Sequence, residues 1–303
     1  MINTVVKGCQ VKNPITLTEL YSFSKQRFSN GYFFNGESHD FYEVVCVLKG
    51  RVGVTAGKRV YVLSAGQMTV HRPGQFHAIW EEGESRPESI IFSFAAAPFP
   101  KIRNYVYELS SELVREIRAL YSGITDAFEM ECSKNKISPE LNLLHTGNTH
   151  TETGIWVNAV KEGREGQAAE LVKRLELFIV RAMRNGSADV DGYAGAGSEA
   201  YTRILSVMEE NLGKELSVSS LAAQCKMSVP SLEKTVYKYL HCGAMTYYNI
   251  LKLQKAHDYL LSGMSVKETA FTLGYSNQNY FSACFKKKYG YPPSAVRADS
   301  KLI

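Results

Sequence analysis

Three consecutive lysines, Lys286 to Lys288, follow the aromatic pair Tyr280 and Phe281 near the end of the chain, in TLGYSNQNYFSACFKKKYGYPPSAVR. Lysine ammonium groups contact phosphate oxygens through their charge, whereas many lysine runs only mark a solvated face. Phe281 and Phe285 are four positions apart, so they share one face of a helix and anchor it in a core. The lysines then lie further along an anchored helix, where phosphate contacts are possible.

An internal repeat includes this stretch. LSVSSLAAQCKMS (216–228) matches MSVKETAFTLGYS (264–276) at an offset of 48 positions. Each copy has a small residue, Ala222 or Ala270, that lets two helices cross closely, and four positions later the chain turns into a second helix. Gly274 supplies a positive φ at one of these turns. The spacing therefore predicts two helix-turn-helix units.

The charge of the chain is concentrated at this end. From Glu199 onward there are 13 basic and 8 acidic side chains, which account for the whole net charge of +5 in the 303 residues. Hydrophobic residues make up 45% of the chain and charged residues 21%, which is ordinary globular composition and excludes wholesale disorder. The distribution is typical of a phosphate-binding module joined to a neutral partner.

In the first two thirds of the chain, the spacing of apolar residues changes once, from a strand pattern to a helical pattern. From Phe41 to about Phe94, short segments rich in Val, Ile and aromatic residues predict the strands of a small barrel or sandwich. From about Ile102 the period becomes helical. The helix containing Ala168 to Ala182 has an apolar stripe wide enough for a core or for a dimer seam. The segment 186–198 lacks periodicity and is rich in Gly, Ala, Ser and Asp, which predicts a linker.

The cysteines and the N-terminus bear on the cellular compartment. The six cysteines are scattered without a C-x-x-C pair, which favours free thiols in a reducing cytosol. The N-terminal MINTVVKGCQVKNP lacks the order of a signal peptide, and the longest weakly polar run, 89–100, is too short to cross a bilayer. We therefore expect a cytoplasmic protein without a membrane partner.

The region from Leu216 to Arg297 resembles the AraC/XylS family of transcription regulators. The second unit follows the family signature through Ala270, Gly274, Tyr275, Tyr280, Phe281, Phe285, Lys286, Gly290, Pro293 and Arg297. The first unit matches more loosely, because Lys234, Val236 and His241 stand where the family usually has Arg, Phe and Gly. The resemblance implies an all-α DNA-binding domain whose two recognition helices enter successive major grooves about one DNA turn apart.

The polar positions of the two recognition helices supply the expected DNA contacts. These are Ser231, Glu233, Lys234 and Lys238 in the first unit, and Gln278, Asn279, Ser282, Ala283 and Lys286 in the second. Gln and Asn pair bidentately with adenine, whereas Ala283, where the family commonly has Arg, offers only a methyl group to thymine. In the alternative interpretation Gln278 and Asn279 merely cap the helix, although Ser276 and Asn277 are better cap candidates.

The strand-rich segment resembles the cupin-like ligand-binding domain common in these regulators. Its motifs run through Glu37, His39, Glu43 and Gly50, and then through Gly66, Pro73, Gly74 and His77. The resemblance implies a ligand site at the barrel mouth, with candidates His39, Glu43, Arg72, His77 and Trp80. His71 is a further candidate. Trp80 is suited to stacking on a sugar ring, and Arg72 to binding hydroxyls or a carboxylate.

The same cupin positions allow a second interpretation. Glu37 stands where cupin enzymes usually have His, and Glu37, His39, Glu43 and His77 together form a donor set that suits first-row divalent metals. Sensor cupins joined to such DNA-binding units generally bind an organic ligand instead. The prediction is therefore a site that uses hydrogen bonds, without a metal, a cofactor or catalytic residues.

The combined prediction is an α+β chain that acts as a ligand-responsive, sequence-specific DNA-binding transcription regulator, not an enzyme. Its parts are a cupin-like β-barrel (14–98), a helical dimerisation region (99–185), a linker (186–198) and a double helix-turn-helix domain (199–299). Expected partners are double-stranded promoter DNA, a small-molecule effector with sugars as one candidate class, RNA polymerase and a second copy of the chain. A cupin metalloenzyme carrying a DNA-binding tail, and a constitutive DNA-binding protein whose barrel is a dimerisation scaffold, are the alternatives.

Overall fold

The computed structural model describes residues 12–83, 86–102, 106–132, 155–184, 186–187, 196–240 and 242–299. The strands are β1 (Leu17–Arg27), β2 (Phe33–Glu37), β3 (Tyr42–Lys49), β4 (Arg51–Ala56), β5 (Arg59–Ser64), β6 (Gln67–His71), β7 (His77–Glu81), β8 (Glu88–Ala96), β9 (Val106–Glu108), β10 (Phe128–Cys132), β11 (Ile155–Val160) and β12 (Gly186–Ser187). The helices are α1 (Ser111–Ala127), α2 (Glu165–Arg184), α3 (Ala196–Glu210), α4 (Val218–Gln224), α5 (Val229–Leu240), α6 (Ala244–Leu261), α7 (Val266–Thr272), α8 (Gln278–Tyr289) and α9 (Pro293–Asp299).

The strands form two antiparallel sheets with a shared core. The eight-stranded sheet has the order β10-β11-β1-β8-β3-β6-β9-β12, and the four-stranded sheet has the order β2-β7-β4-β5. Apolar side chains from both sheets meet between them, including Val45 and Val47 of β3, Val54 of β4 and Ile79 of β7. The predicted β-barrel is therefore present as two facing sheets.

Strand β3 is buried on both of its faces. Val45 and Val47 point into the space between the sheets, whereas Val44 and Cys46 point outward and pack against α1 and α2. Side chains alternate between the faces of a strand, so a strand covered on both sides becomes a continuous apolar run. This explains why the segment VVCVL shows no alternation of polar and apolar residues.

The apolar stripe of α2 belongs to the protein's own core. Leu171, Leu175 and Phe178 are each at most 4% exposed and pack with α1 and the outer face of the eight-stranded sheet. Of the two alternatives for this stripe, the core is correct and the dimer seam is wrong. The region 99–185 also contains β9, β10 and β11, so it is not wholly helical as predicted. Val106–Glu108, expected in a helix, instead pairs with β6.

The helices from α3 onward form the predicted pair of helix-turn-helix units, α4–α5 and α7–α8, joined by α6. The turns lie 48 positions apart, at Lys226 (φ 55°) and Gly274 (φ 69°), and both are left-handed. Each unit has its own apolar core. Helix α3 begins at Ala196, inside the segment predicted as linker, and residues 188–195 of that segment lie outside the described residues.

The described helices also bear on a membrane role for the chain. None of them combines the length and apolar character that a bilayer-spanning helix needs.

The four-stranded sheet packs its outer face against α3, α5 and α6, the helices in and around the first helix-turn-helix unit. Phe76, Ala78 and Trp80 lie in one apolar cluster with Tyr201 of α3, Tyr239 of α5 and Tyr247 of α6. The ring centroids of Phe76 and Tyr247 are 5.1 Å apart, and those of Trp80 and Tyr239 are 6.1 Å apart. The indole also covers Gly53, where a Cβ atom would lie only 2.0 Å from the ring.

Polar contacts continue this interface along the β4–β5 hairpin. The Tyr201 hydroxyl donates to the Gly57 carbonyl at 3.3 Å, and the Thr202 hydroxyl donates to the Lys58 carbonyl at 2.9 Å. Lys58 Nζ also lies 2.7 Å from Glu209 Oε2. Aromatic contacts, hydrogen bonds and an ion pair therefore hold the helices around the first helix-turn-helix unit, which we call the DNA-binding unit, against the four-stranded sheet, which we call the sensor sheet.

We predict that Leu175→Ala lowers the free energy of unfolding by about 2–5 kcal/mol, because it opens a cavity at a fully buried position. Leu177→Ala is the matched control, since Leu177 lies on the same helix but is 53% exposed, and we expect it to change stability by less than about 0.5 kcal/mol. Urea denaturation of the full chain measures both. Equal losses would contradict the assignment of the stripe to the core.

We also predict that Trp80→Ala loosens the contact between the sensor sheet and the DNA-binding unit. The lost aromatic contact with Tyr239 contributes about 0.5–1.5 kcal/mol beyond the buried area. Hydrogen exchange followed by mass spectrometry should show faster exchange in α3 and α5. Phe271→Ala, at a 53% exposed position of α7, is the control and should leave that exchange unchanged. Identical exchange in the two variants would show that Trp80 does not hold the interface.

Candidate functional site

The predicted DNA-reading face of the second unit is exposed on α8. Asn279, Ala283 and Lys286 are exposed, and their spacing places them in one stripe along the helix. Phe281 and Phe285 are fully buried on the opposite side. The Asn277 side chain caps α8 by accepting from the backbone N–H groups of Asn279 and Tyr280. Because Asn277 makes the cap, the exposed side chains of Gln278 and Asn279 are not needed for it.

Helix α5 presents a similar stripe, formed by Ser231, Lys234 and Lys238, which are all exposed. Ser228 lies at its start and accepts from the Ser231 backbone at 3.3 Å, as a cap does. Glu233 is only half-buried, and its carboxylate accepts from the backbone N–H of Ala244 at 3.1 Å, where α6 begins. The structure thus gives Glu233 an internal role at a helix start, and its DNA contact stays a prediction.

The three lysines of α8 differ in environment. Lys286 and Lys287 are exposed, whereas Lys288 is half-buried. Burial lowers the pKa of the Lys288 ammonium group, and the negative charge of Glu37 in the sensor domain opposes this by raising it. Lys286 and Lys287 are therefore the more accessible members of the triplet for phosphate contacts.

The sensor domain brings four predicted residues together at one end of the sheets. Ligand-capable atoms of Glu37, His39, Glu43 and His77 all lie within 4.8 Å of one another, and we call these four residues the Glu–His cluster. Glu37 and His77 are paired across β2 and β7 of the four-stranded sheet. Glu43 lies on β3 of the eight-stranded sheet, opposite His71 of β6. The cluster therefore bridges the two sheets.

The imidazoles of the cluster are held by backbone carbonyls. The Nδ1 atom of His39 lies 3.0 Å from the Phe41 carbonyl, and that of His77 lies 3.0 Å from the Gln75 carbonyl. A carbonyl oxygen only accepts, so each Nδ1 carries a proton and donates it. Both Nε2 atoms then point at Glu43, at 3.1 Å from His77 and 3.8 Å from His39. The backbone thus fixes both rings with Nε2 toward the carboxylate.

Burial and charge shift the titration of the cluster. Burial raises the pKa of Glu37, and the charge of Glu43 raises it further. Burial acts in the same direction on Glu43, but His77 and His39 outweigh it and hold its pKa well below the usual range. For His77, burial lowers the pKa, yet Glu43 and Glu37 raise it overall. Burial and the charge of His77 lower the pKa of His71, whose ring stacks on His77 at 4.2 Å.

Two predicted ligand residues lie apart from this cluster. Arg72 is exposed, and its guanidinium donates to the Ile102 carbonyl at 2.9 Å. Trp80 and His77 are three positions apart on β7, so they point to opposite faces of the sheet. Trp80 packs against the DNA-binding unit and donates its indole N–H to Glu82 at 2.8 Å. The prediction that Trp80 lines the same interior site as His77 is therefore wrong.

Two family models match the chain. One, described as AraC-like ligand binding domain, matches residues 23–133. The other, described as helix-turn-helix domain, matches residues 221–299. The first covers the sheets and the Glu–His cluster, and the second covers most of both helix-turn-helix units.

Similar proteins carry regulator names. The HTH-type transcriptional regulator GbdR of Pseudomonas aeruginosa is 31% identical over 147 residues, which are 47% of this chain and 39% of that protein. The HTH-type transcriptional activator RhaS of Escherichia fergusonii is 20% identical over 265 residues, or 87% of each chain. The match to GbdR thus spans about two fifths of that relative's length.

Solved structures of similar proteins include an AraC-type transcriptional regulator from Chromobacterium violaceum and ToxT from Vibrio cholerae. The first is 28% identical, with 35% of this chain and 96% of that chain covered and a TM-score of 0.33. ToxT is 12% identical, with 96% and 100% covered and a TM-score of 0.37. The two family models, in the order sensor then DNA-binding unit, show that the chain belongs to the AraC family of transcription regulators.

Proposed function

We propose that the chain is a ligand-responsive transcription regulator that binds double-stranded promoter DNA through α5 and α8. The observation that carries this proposal is the pair of exposed stripes, Ser231–Lys234–Lys238 and Asn279–Ala283–Lys286, on two repeated helices joined by α6. An 18-residue helix is about 27 Å long, a scale suited to spacing two recognition helices along one face of DNA. Regulator names among the relatives favour this function over a metalloenzyme with a DNA-binding tail.

The effector site of this regulator is proposed to be the end of the sensor sheets that holds the Glu–His cluster. His39, Glu43 and His77 are the proposed contact residues, with Arg72 at the exposed rim. The sequence makes sugars one candidate class of effector, because Trp80 is suited to stacking on a sugar ring. With Trp80 turned toward the DNA-binding unit, the remaining support for a sugar is the hydrogen-bonding capacity of Arg72 and the cluster.

A cytoplasmic location, a homodimer and contact with RNA polymerase complete the proposal. Self-association through α2 has to use its outer side, where Leu177 is 53% exposed, because the apolar stripe of that helix is occupied by the core. RNA polymerase is proposed on the family resemblance alone. Sizing of the full chain at several concentrations tests the homodimer.

The phosphate-contact role of Lys286 can be tested by salt dependence. Each lost phosphate contact reduces the slope of log affinity against log salt by about one unit. We predict this change for Lys286→Ala, measured by fluorescence anisotropy on the full chain with promoter DNA. Lys267→Ala is the matched control, since Lys267 is exposed on α7, outside the recognition helix. If both variants keep the parent slope, Lys286 is not a phosphate contact.

The base-reading role of α8 predicts a half-site rich in A·T pairs. Asn279→Ala should relax the preference at one base pair at a cost of about 1–3 kcal/mol, and Ala283→Arg should shift preference toward G. Both positions are exposed, so neither change should harm the fold. Selection of binding sites from random DNA measures both effects. A G·C-rich second half-site, or an unchanged motif with Asn279→Ala, would contradict this orientation of α8 in the groove.

A further inference from the structure

Helix α6 runs from the core of the first helix-turn-helix unit to the core of the second. Tyr248 and Ile250 lie in the apolar cluster of the first unit. Leu253 and Ala256 lie in the apolar cluster of the second. Lys252 lies between these two sets and is only 7% exposed. Burial of an ammonium group is costly unless other groups replace its water, so a lysine at this boundary requires specific partners.

The partners of Lys252 come from both units. Its ammonium nitrogen lies 5.0 Å from the ring centroid of Tyr248 on α6, and 5.3 Å from that of Tyr275 in the turn between α7 and α8 (273–277). The ammonium group also donates to the Lys214 carbonyl at 3.4 Å, in the connection between α3 and α4 (211–217). A cation over an aromatic ring is attracted by the negative face of the ring, and the attraction is stronger where water is excluded. One buried charge thus contacts three segments of the chain.

The connection between α3 and α4 is itself held in place. The Tyr248 hydroxyl shares its proton between the Asn211 carbonyl, at 2.5 Å, and the Lys214 carbonyl, at 3.0 Å. Leu212, which lies between these two residues, packs against the apolar clusters of both units. The Lys214 carbonyl is therefore a fixed partner for Lys252, and the connection belongs to both cores.

The same connection meets the second unit backbone to backbone. A Cβ atom at Gly213 would lie 2.7 Å from the Thr272 carbonyl oxygen, and one at Gly274 would lie 2.8 Å from the Gly213 carbonyl oxygen. So close an approach requires the absence of a side chain at both positions. Gly274 directly precedes Tyr275, so the turn that leads into α8 packs on this connection beside the Lys252 contact.

We propose that Lys252 is a positioning residue that holds the two helix-turn-helix units in one relative orientation, because it contacts Tyr275 of the second unit and the connection that leads into the first. This proposal rests on the proposed function, since a fixed orientation matters when both recognition helices bind one duplex. Its consequence is specificity for the spacing of the half-sites. Each added base pair rotates one half-site relative to the other by about 35° and moves it by about 3.4 Å.

The test uses a duplex that the full parent chain selects from random DNA, and versions of it with one base pair inserted or deleted between the half-sites. We expect the parent chain to bind the altered duplexes at least about tenfold more weakly, an effect comparable to a mismatched base pair. Lys252→Met removes the charge but keeps a long unbranched side chain, and it should lose most of this discrimination. Its affinity for a single half-site should equal that of the parent chain, because the recognition helices are unchanged. Fluorescence anisotropy measures all of these affinities.

Lys255→Met is the matched control. The Lys255 ammonium nitrogen lies 5.1 Å from the ring centroid of Tyr259, so this change removes a cation–π contact that stays within α6. It should keep the spacing preference of the parent chain. Lys252→Arg should restore that preference, because a guanidinium group keeps the charge and stacks on aromatic rings. Parent-like discrimination by Lys252→Met, or equal losses in Lys252→Met and either Lys255→Met or Lys252→Arg, would overturn the proposal.

Hydrogen exchange without DNA distinguishes a failure of this proposal from a failure of the proposed function. Lys252→Met should exchange faster than the parent chain in both 211–217 and 273–277, whereas Lys255→Met should not. Equal exchange in these two variants would show that Lys252 does not join the units, whatever the chain binds. Absence of DNA binding by the parent chain would overturn the regulator function, and the exchange would still decide whether Lys252 joins the units.

Circular dichroism identifies a variant that fails to fold. If Lys252→Met does not fold, Tyr275→Leu takes its place, because it removes one of the two rings and leaves the lysine charge. The same loss of spacing discrimination and the same faster exchange are expected for it, and parent-like behaviour in both measurements would overturn the proposal.

Discussion

Burial of the four-stranded sheet on both faces is the constraint from which the arrangement of the two domains follows. On β7, Ile79 points between the sheets and His77 into the Glu–His cluster, while Ala78 and Trp80 point outward against the first helix-turn-helix unit. Successive side chains of a strand point to opposite faces. A displacement of β7 therefore moves its inward-pointing and its outward-pointing side chains together. One strand thus contacts the proposed ligand site on one side and the DNA-binding unit on the other.

The energies of the interdomain contacts are of a size that a ligand can offset. The aromatic contacts of Phe76 with Tyr247 and of Trp80 with Tyr239 contribute about 0.5–1.5 kcal/mol each beyond buried area. The ion pair between Lys58 and Glu209 is partly exposed and adds at most about 1 kcal/mol. Coupling between sites typically amounts to about 1–3 kcal/mol, so a ligand at the cluster can bias this docking without unfolding either domain.

The sequence predicted features that depend on local spacing and failed on those that depend on distant partners. The offset of 48 positions located both left-handed turns, at Lys226 and Gly274, because a turn between two helices is set by a few adjacent residues. Strands β3 to β8 fall within the segment predicted as strands, whereas β1 and β2, which precede it, were missed. The longer of the two, β1, shows why. Its sequence, LTELYSFSKQR, is only partly buried, and its pairing with β8 spans about 70 positions that no local pattern reveals.

In the candidate site, too, local spacing predicted some features, whereas distant partners determine others. Motif spacing brought out Glu37, His39, Glu43 and His77. They lie together because β2, β3 and β7 and the connection from β2 to β3, which holds His39, are close in space. The orientation of Trp80 could have been predicted from the sequence, because residues three positions apart, such as His77 and Trp80, lie on opposite faces of a strand. The docking of the DNA-binding unit could not have been predicted, because an aromatic residue on the outer face of a sheet does not identify what covers it. The lysine triplet of α8 shows the same limit: three like residues in the sequence differ in the fold, where Lys286 and Lys287 are exposed and Lys288 is half-buried.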